Sequence, residues 1–141
     1  MSGFWRSWFA IWCMSIGGFG VILAAAAFAR TDGPAGMLMS VLQGGGAFSF
    51  DPALRFSFAV MGAVTIGWAV SMHLMIRTAI TLGESGRPLW TAVSAGLASW
   101  FVIDSILSVA TGFGLNVIPN LLLTTFYVVG LIGSGVLKSS R

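Results

Sequence analysis

The chain has 141 residues, of which 57% are hydrophobic and only 8% charged, and its mean hydropathy is +0.94. Soluble domains carry about 25% charged residues, and a domain this short leaves a large share of its surface wet, so water is the wrong solvent for this composition. The net charge of +3 does not point to nucleic acid, because the seven basic residues stand singly between apolar runs and form no stripe. Cys13 is the single cysteine, which excludes an intrachain disulfide and a thiolate metal cluster.

These limits predict an all-α integral membrane protein, one domain over 1–141, with four transmembrane helices in an up-down bundle. The spans fall at about 8–29, 54–77, 89–111 and 117–137. The first lies between Arg6 and Arg30, which enclose 23 residues without a formal charge. Ala27-Phe28-Ala29 has the look of a signal-peptidase site. The apolar stretch before it is longer than a usual signal core and is preceded by one Arg, so it is read as a span.

The loop 30–54 is the long one. Pro34 to Gln43 predicts a short interfacial helix, and Gly44-Gly45-Gly46 a hinge after it. Asp51-Pro52 is a helix start, with Asp as N-cap and Pro in the first turn. The second span follows, between Arg55 and Arg77, with His73 its one ionisable residue.

From Pro88 to Leu137 there are 50 residues with a single charge, Asp104. As one helix they would reach about 75 Å, more than twice a hydrocarbon core of about 30 Å. The break belongs at Gly112 to Asn116, ahead of Pro119.

Lys and Arg set the expected orientation. Arg6, Arg77, Arg87, Lys138 and Arg141 fall on one side, Arg30 and Arg55 on the other. Five against two predicts that both termini of this multi-pass protein are cytoplasmic. Trp5, Trp8, Trp12 and Trp90 are expected in an interfacial aromatic belt. Small-residue faces for helix contact are expected at Gly17, Gly20 and Ala24, at Ala59, Ala63, Gly67 and Ser71, at Ala92 and Gly96, and at Gly130, Gly133 and Ser134.

An Asp at mid-span costs about 2.5–3.5 kcal/mol on insertion scales and is tolerated where it faces protein or water. Trp100, Asp104, Ser108 and Thr111 share one face of the third span; Asn116, Asn120, Thr124 and Tyr127 share one face of the fourth. The expected polar cluster is Asp104, Asn116, Asn120 and Thr124, with Arg55 reaching in along its stem. His73, Trp100 and Tyr127 are secondary candidates. The cluster reads either as a lock between helices or as a small pocket.

No P-loop, HExxH or Ser/His/Asp arrangement is present, so no catalytic residue, metal or cofactor is assigned. The segments ALRFSFAVMGAVTIGW (53–68) and WFVIDSILSVATGFGLNVIPN (100–120) resemble small, uncharacterised bacterial four-span membrane proteins. The resemblance implies four helices in a bacterial inner membrane and brings no assigned activity, cofactor or catalytic residue with it. The expected function is therefore non-enzymatic: an accessory or assembly subunit, or a small homo-oligomer, that recognises other membrane subunits or lipid and no nucleic acid. The alternative is a bundle that handles a proton or a quinone- or lipid-like ligand at Asp104.

Overall fold

The structure is a computed structural model that describes residues 1–136 of the chain. Lys138 and Arg141, counted above for orientation, and the end of the fourth expected span lie outside the described residues. Within them the chain is helical, with no strand: α1 (Gly3–Ala25), α2 (Gly33–Leu42), α3 (Pro52–Leu82), α4 (Arg87–Ala110) and α5 (Val117–Gly133). Short 3₁₀ turns, Gly83–Gly86 and Gly114–Asn116, precede α4 and α5.

Three helical stretches among the described residues are long and apolar enough to cross a bilayer: Gly3–Ala25, Pro52–Ala110 and Gly114–Gly133. The 59-residue stretch Pro52–Ala110 is not one rod. Trp68 and Trp100 are 32 positions apart, about 48 Å along a straight helix. Their rings lie 5.5 Å apart, so α4 folds back on α3. Gly83, at φ 59°, and Gly86 make the reversal; a Cβ on Gly86 would collide with the Ala79 backbone.

The same antiparallel relation recurs between α1 and α3, α4 and α5, and α5 and α1, so the four long helices close a ring. Phe9 of α1 and Trp90 of α4 meet across its centre, ring centroids 5.0 Å apart. The core runs from there through Trp12, Cys13, Ile16, Met72, Ile76, Val93, Leu97 and Tyr127. Trp12 and Trp90 are thus core residues rather than members of a surface belt. Trp8 and Trp12 instead donate their indole N–H groups to the Phe126 and Leu123 carbonyls, each at 2.9 Å, and tie α1 to α5.

The tightest helix pair is α1 with α3. Gly20 and Ala24 of α1 lie against Gly62 and Ile66 of α3, backbone to backbone. In lipid no hydrophobic effect draws helices together, so such close approach supplies dispersion contacts that a larger residue would forbid. The small-residue stripe of α3 lies outside this contact. Ala63, Gly67 and Ser71 are exposed, and nothing lies within 4 Å of a Cβ on Gly67. Gly62 is the residue in contact, 100° round the helix from Ala63. Ala92 and Gly96 of α4 are likewise exposed, whereas Gly130 and Gly133 of α5 seat Trp8 and Trp5.

At one end of the ring Met1, Gly83, Arg87 and Val136 line a cleft of about 210 Å³, so the N-terminus, the 83–86 turn and the end of α5 share that end. At the other end sits α2, as expected from Pro34 to Gln43, one residue earlier. It packs Ala35, Leu38 and Met39 on Leu23, Ala26 and Phe58, and it touches the 114–116 turn. Gly44, Gly45 and Gly46 all have positive φ, which only glycine adopts without strain, and they return the chain toward α3. Asp51 caps α3 by accepting the Leu54 N–H at 2.8 Å, with Pro52 in the first turn.

The outward faces are apolar from end to end. Phe56, Val64, Ile103, Ile106 and Ile132 are each more than half exposed. A soluble monomer seldom leaves such a continuous apolar surface uncovered. Length, hydropathy and surface all suit a membrane protein.

Candidate functional site

Asp104 lies on α4 about nine residues' rise, or roughly 13 Å, from the level of His73 on α3, counting outward from the Trp68–Trp100 contact. Its neighbours come from one turn of α4 and from the start of α5. Asn116 closes the 3₁₀ turn and Asn120 lies one helical turn on, so both amides face the carboxylate. Asn116 donates to Asp104 Oδ2 at 2.8 Å and Asn120 donates to the same oxygen at 2.6 Å. Each amide uses its other hydrogen on a hydroxyl of α4: Asn116 to Ser108 Oγ at 3.0 Å, Asn120 to Ser105 Oγ at 3.3 Å.

Asp104 is half-buried, while Asn120 and Ser108 are buried. Thr124 follows Asn120 by one turn, and its hydroxyl is buried without a hydrogen-bond partner among the described residues. Of the expected quartet, Asp104, Asn116 and Asn120 are thus brought together at one end of the α4–α5 pair, while Thr124 makes no hydrogen bond with them. Ser105 was not foreseen. It sits one position beyond Asp104, about 100° round the helix, and the face-counting that found Ser108 passes over it.

Arg55 is not part of this cluster, contrary to the expectation. Its guanidinium donates to the Ala26 carbonyl at 3.0 Å and to Asp32 Oδ2 at 2.7 Å, and it stacks over the Phe50 ring at 5.4 Å. The reason is local. The carbonyls that end α1 have no intrahelical partner, and Asp32 precedes α2 beside them, so both nearby needs for a cation are met before Arg55 reaches α4. The ion pair borders an open cleft of about 520 Å³ lined by Gly36, Met37, Ser40 and Phe48. Ser40 closes the glycine hinge by donating to the Gly46 carbonyl.

The secondary candidates also sit elsewhere. Tyr127 is buried between Phe9 and Trp12, and its hydroxyl bonds to Ser94 Oγ at 2.8 Å. Trp100 packs on Trp68. His73 is half-buried on α3, well displaced from Asp104. No group of three or more His, Cys, Asp or Glu side chains able to hold a metal ion occurs among the described residues.

Comparison adds no family. No family model, no curated protein and no solved structure matches this chain.

Proposed function

We propose that the chain is a non-enzymatic integral membrane protein that crosses a bacterial inner membrane four times, with both termini cytoplasmic, and works by recognising other helices. The partner is a second copy of the chain or another membrane subunit. The observation that carries the reading is the stripe Ala63, Gly67 and Ser71, which α3 turns away from both of its neighbours. Gly62, Ile66 and Ala69 meet α1, and Trp68 meets α4, so those faces are occupied. The free stripe is flat enough for another backbone to approach closely, and Val60, Val64 and Leu74 stand beside it as exposed ridges. Ser71 makes no demand of its own there, because its hydroxyl donates to the Gly67 carbonyl at 2.9 Å.

The test is purification in mild detergent followed by mass measurement of the particle. The expected particle is larger than one chain, and Gly67→Leu reduces it to the monomer without unfolding it. A pure monomer with no accompanying protein or lipid would contradict the proposal.

A further inference from the structure

The cleft beside Arg55 lies at the depth where a bilayer keeps its headgroups. From Gly67, at the middle of α3, to Arg55 the helix rises about 18 Å, and half a hydrocarbon core is about 15 Å. The cleft volume of about 520 Å³ is that of a small-ligand site. Arg55 and Asp32 both line it, each side chain 24% exposed. The guanidinium donates once to the Ala26 carbonyl and once to Asp32 Oδ2, which leaves N–H groups to spare. Asp32 Oδ1 accepts no hydrogen bond from the described residues, and Asp32 makes no side-chain cap to α2. The pair therefore offers spare donors and a spare acceptor side by side. Across the cleft run the non-helical residues 47–50, whose backbone N–H groups donate to no acceptor among the described residues. Met37 and Phe48 add apolar wall.

The balance of charge selects the ligand. Asp32 already answers the guanidinium at 2.7 Å, so a net anion meets the carboxylate's repulsion at close range, and a net cation meets the guanidinium's. A zwitterion meets neither. Its phosphate takes the spare guanidinium N–H groups, whose fork matches phosphate oxygens, and its cationic end takes the spare carboxylate oxygen. A primary ammonium has N–H groups to donate to that oxygen, whereas a quaternary ammonium has none. Phosphate and ammonium joined by a short tether, as in phosphoethanolamine, suit a donor and an acceptor that stand next to each other. Met37 and Phe48 give the apolar part of a lipid a surface beside the pair.

We propose that this cleft holds the headgroup of phosphatidylethanolamine, with the phosphate on Arg55 and the ammonium on Asp32. The proposal goes beyond helix recognition and shares with it only the membrane setting.

Native mass spectrometry of the full chain in non-ionic detergent tests it, after incubation with equimolar phosphatidylethanolamine, phosphatidylcholine and phosphatidylglycerol of the same acyl chains. The expected result is phosphatidylethanolamine retained over each of the others by about tenfold or more, the scale of one charge-assisted hydrogen bond. Asp32→Asn leaves the guanidinium unbalanced, so the preference moves to phosphatidylglycerol. Ala47→Trp fills the cleft with the ion pair untouched and lowers phosphatidylethanolamine retention by about tenfold or more. Circular dichroism checks that each variant folds, and Ala47→Trp decides the matter should Asp32→Asn unfold. Equal retention of phosphatidylcholine or phosphatidylglycerol overturns the proposal, as does a preference that a folded variant leaves unchanged. Phosphoethanolamine free in solution is the second arm: its binding to a chain that retains no lipid means a soluble ligand, and also overturns the proposal. Lipid retention is read per chain and particle mass per assembly, so this test and that of helix recognition fail separately.

Discussion

Gly62→Leu is expected to destabilise the helix bundle by about 3 kcal/mol or more, the upper end for inserting atoms into a packed interior. A Cβ at this position would lie 2.6 Å from both Ala24 Cα and the Gly20 carbonyl oxygen, and it would strike the Ala24 amide. The obstacle is backbone on both sides, which cannot swing aside as a flexible side chain does. The α1–α3 pair must separate or slide. Denaturation of the detergent-solubilised protein by SDS, followed by far-UV circular dichroism, measures the loss. Gly67→Leu is the matched control, five residues along the same helix and facing open space. Its monomer should keep its stability within about 0.5 kcal/mol, as for a substitution that touches nothing.

Trp12→Ala is expected to cost about 3 kcal/mol, the lower end of the aromatic-to-alanine range, because lipid supplies no hydrophobic driving force and only packing is lost. The indole is 4% exposed, packs against Tyr127 with ring centroids 5.1 Å apart, and bonds to the Leu123 carbonyl. Trp12→Phe keeps the ring contact and loses the hydrogen bond, at a cost of about 1 kcal/mol or less. The same SDS denaturation series separates the two. Equal losses for Ala and Phe would mean that the hydrogen bond, not the ring, joins α1 to α5.

The helices and their breaks were legible in the sequence because each is written in local chemistry. Asp51-Pro52 starts α3, Gly112 at φ 87° ends α4, and the glycine triplet follows α2. The Asp104 cluster was legible for the same reason: four-residue steps on two antiparallel helices joined by a short turn leave little choice of partners. Which small residues meet was not legible. Ala63, Gly67 and Ser71 make a better pattern than the lone Gly62, but the face that packs is set by the position of α1, and periodicity within α3 does not encode it. Arg55 illustrates the same limit. Its reach allowed Asp104, and the path of α2 brought Asp32 nearer.

The central claim is that hydrocarbon surrounds the long helices and that the chain crosses it four times. Replacing Cys13 by Ala and placing single cysteines along the chain, then labelling intact cells and inverted membrane vesicles with a membrane-impermeant maleimide, tests this most directly. The account predicts labelling from outside at Gly45 and Gly114, from inside at Ser2 and Ser85, and from neither side at Val64, Ile103 and Val129. Water-borne labelling of those three mid-helix positions, or Ser2 and Ser85 reacting on opposite faces, would contradict it.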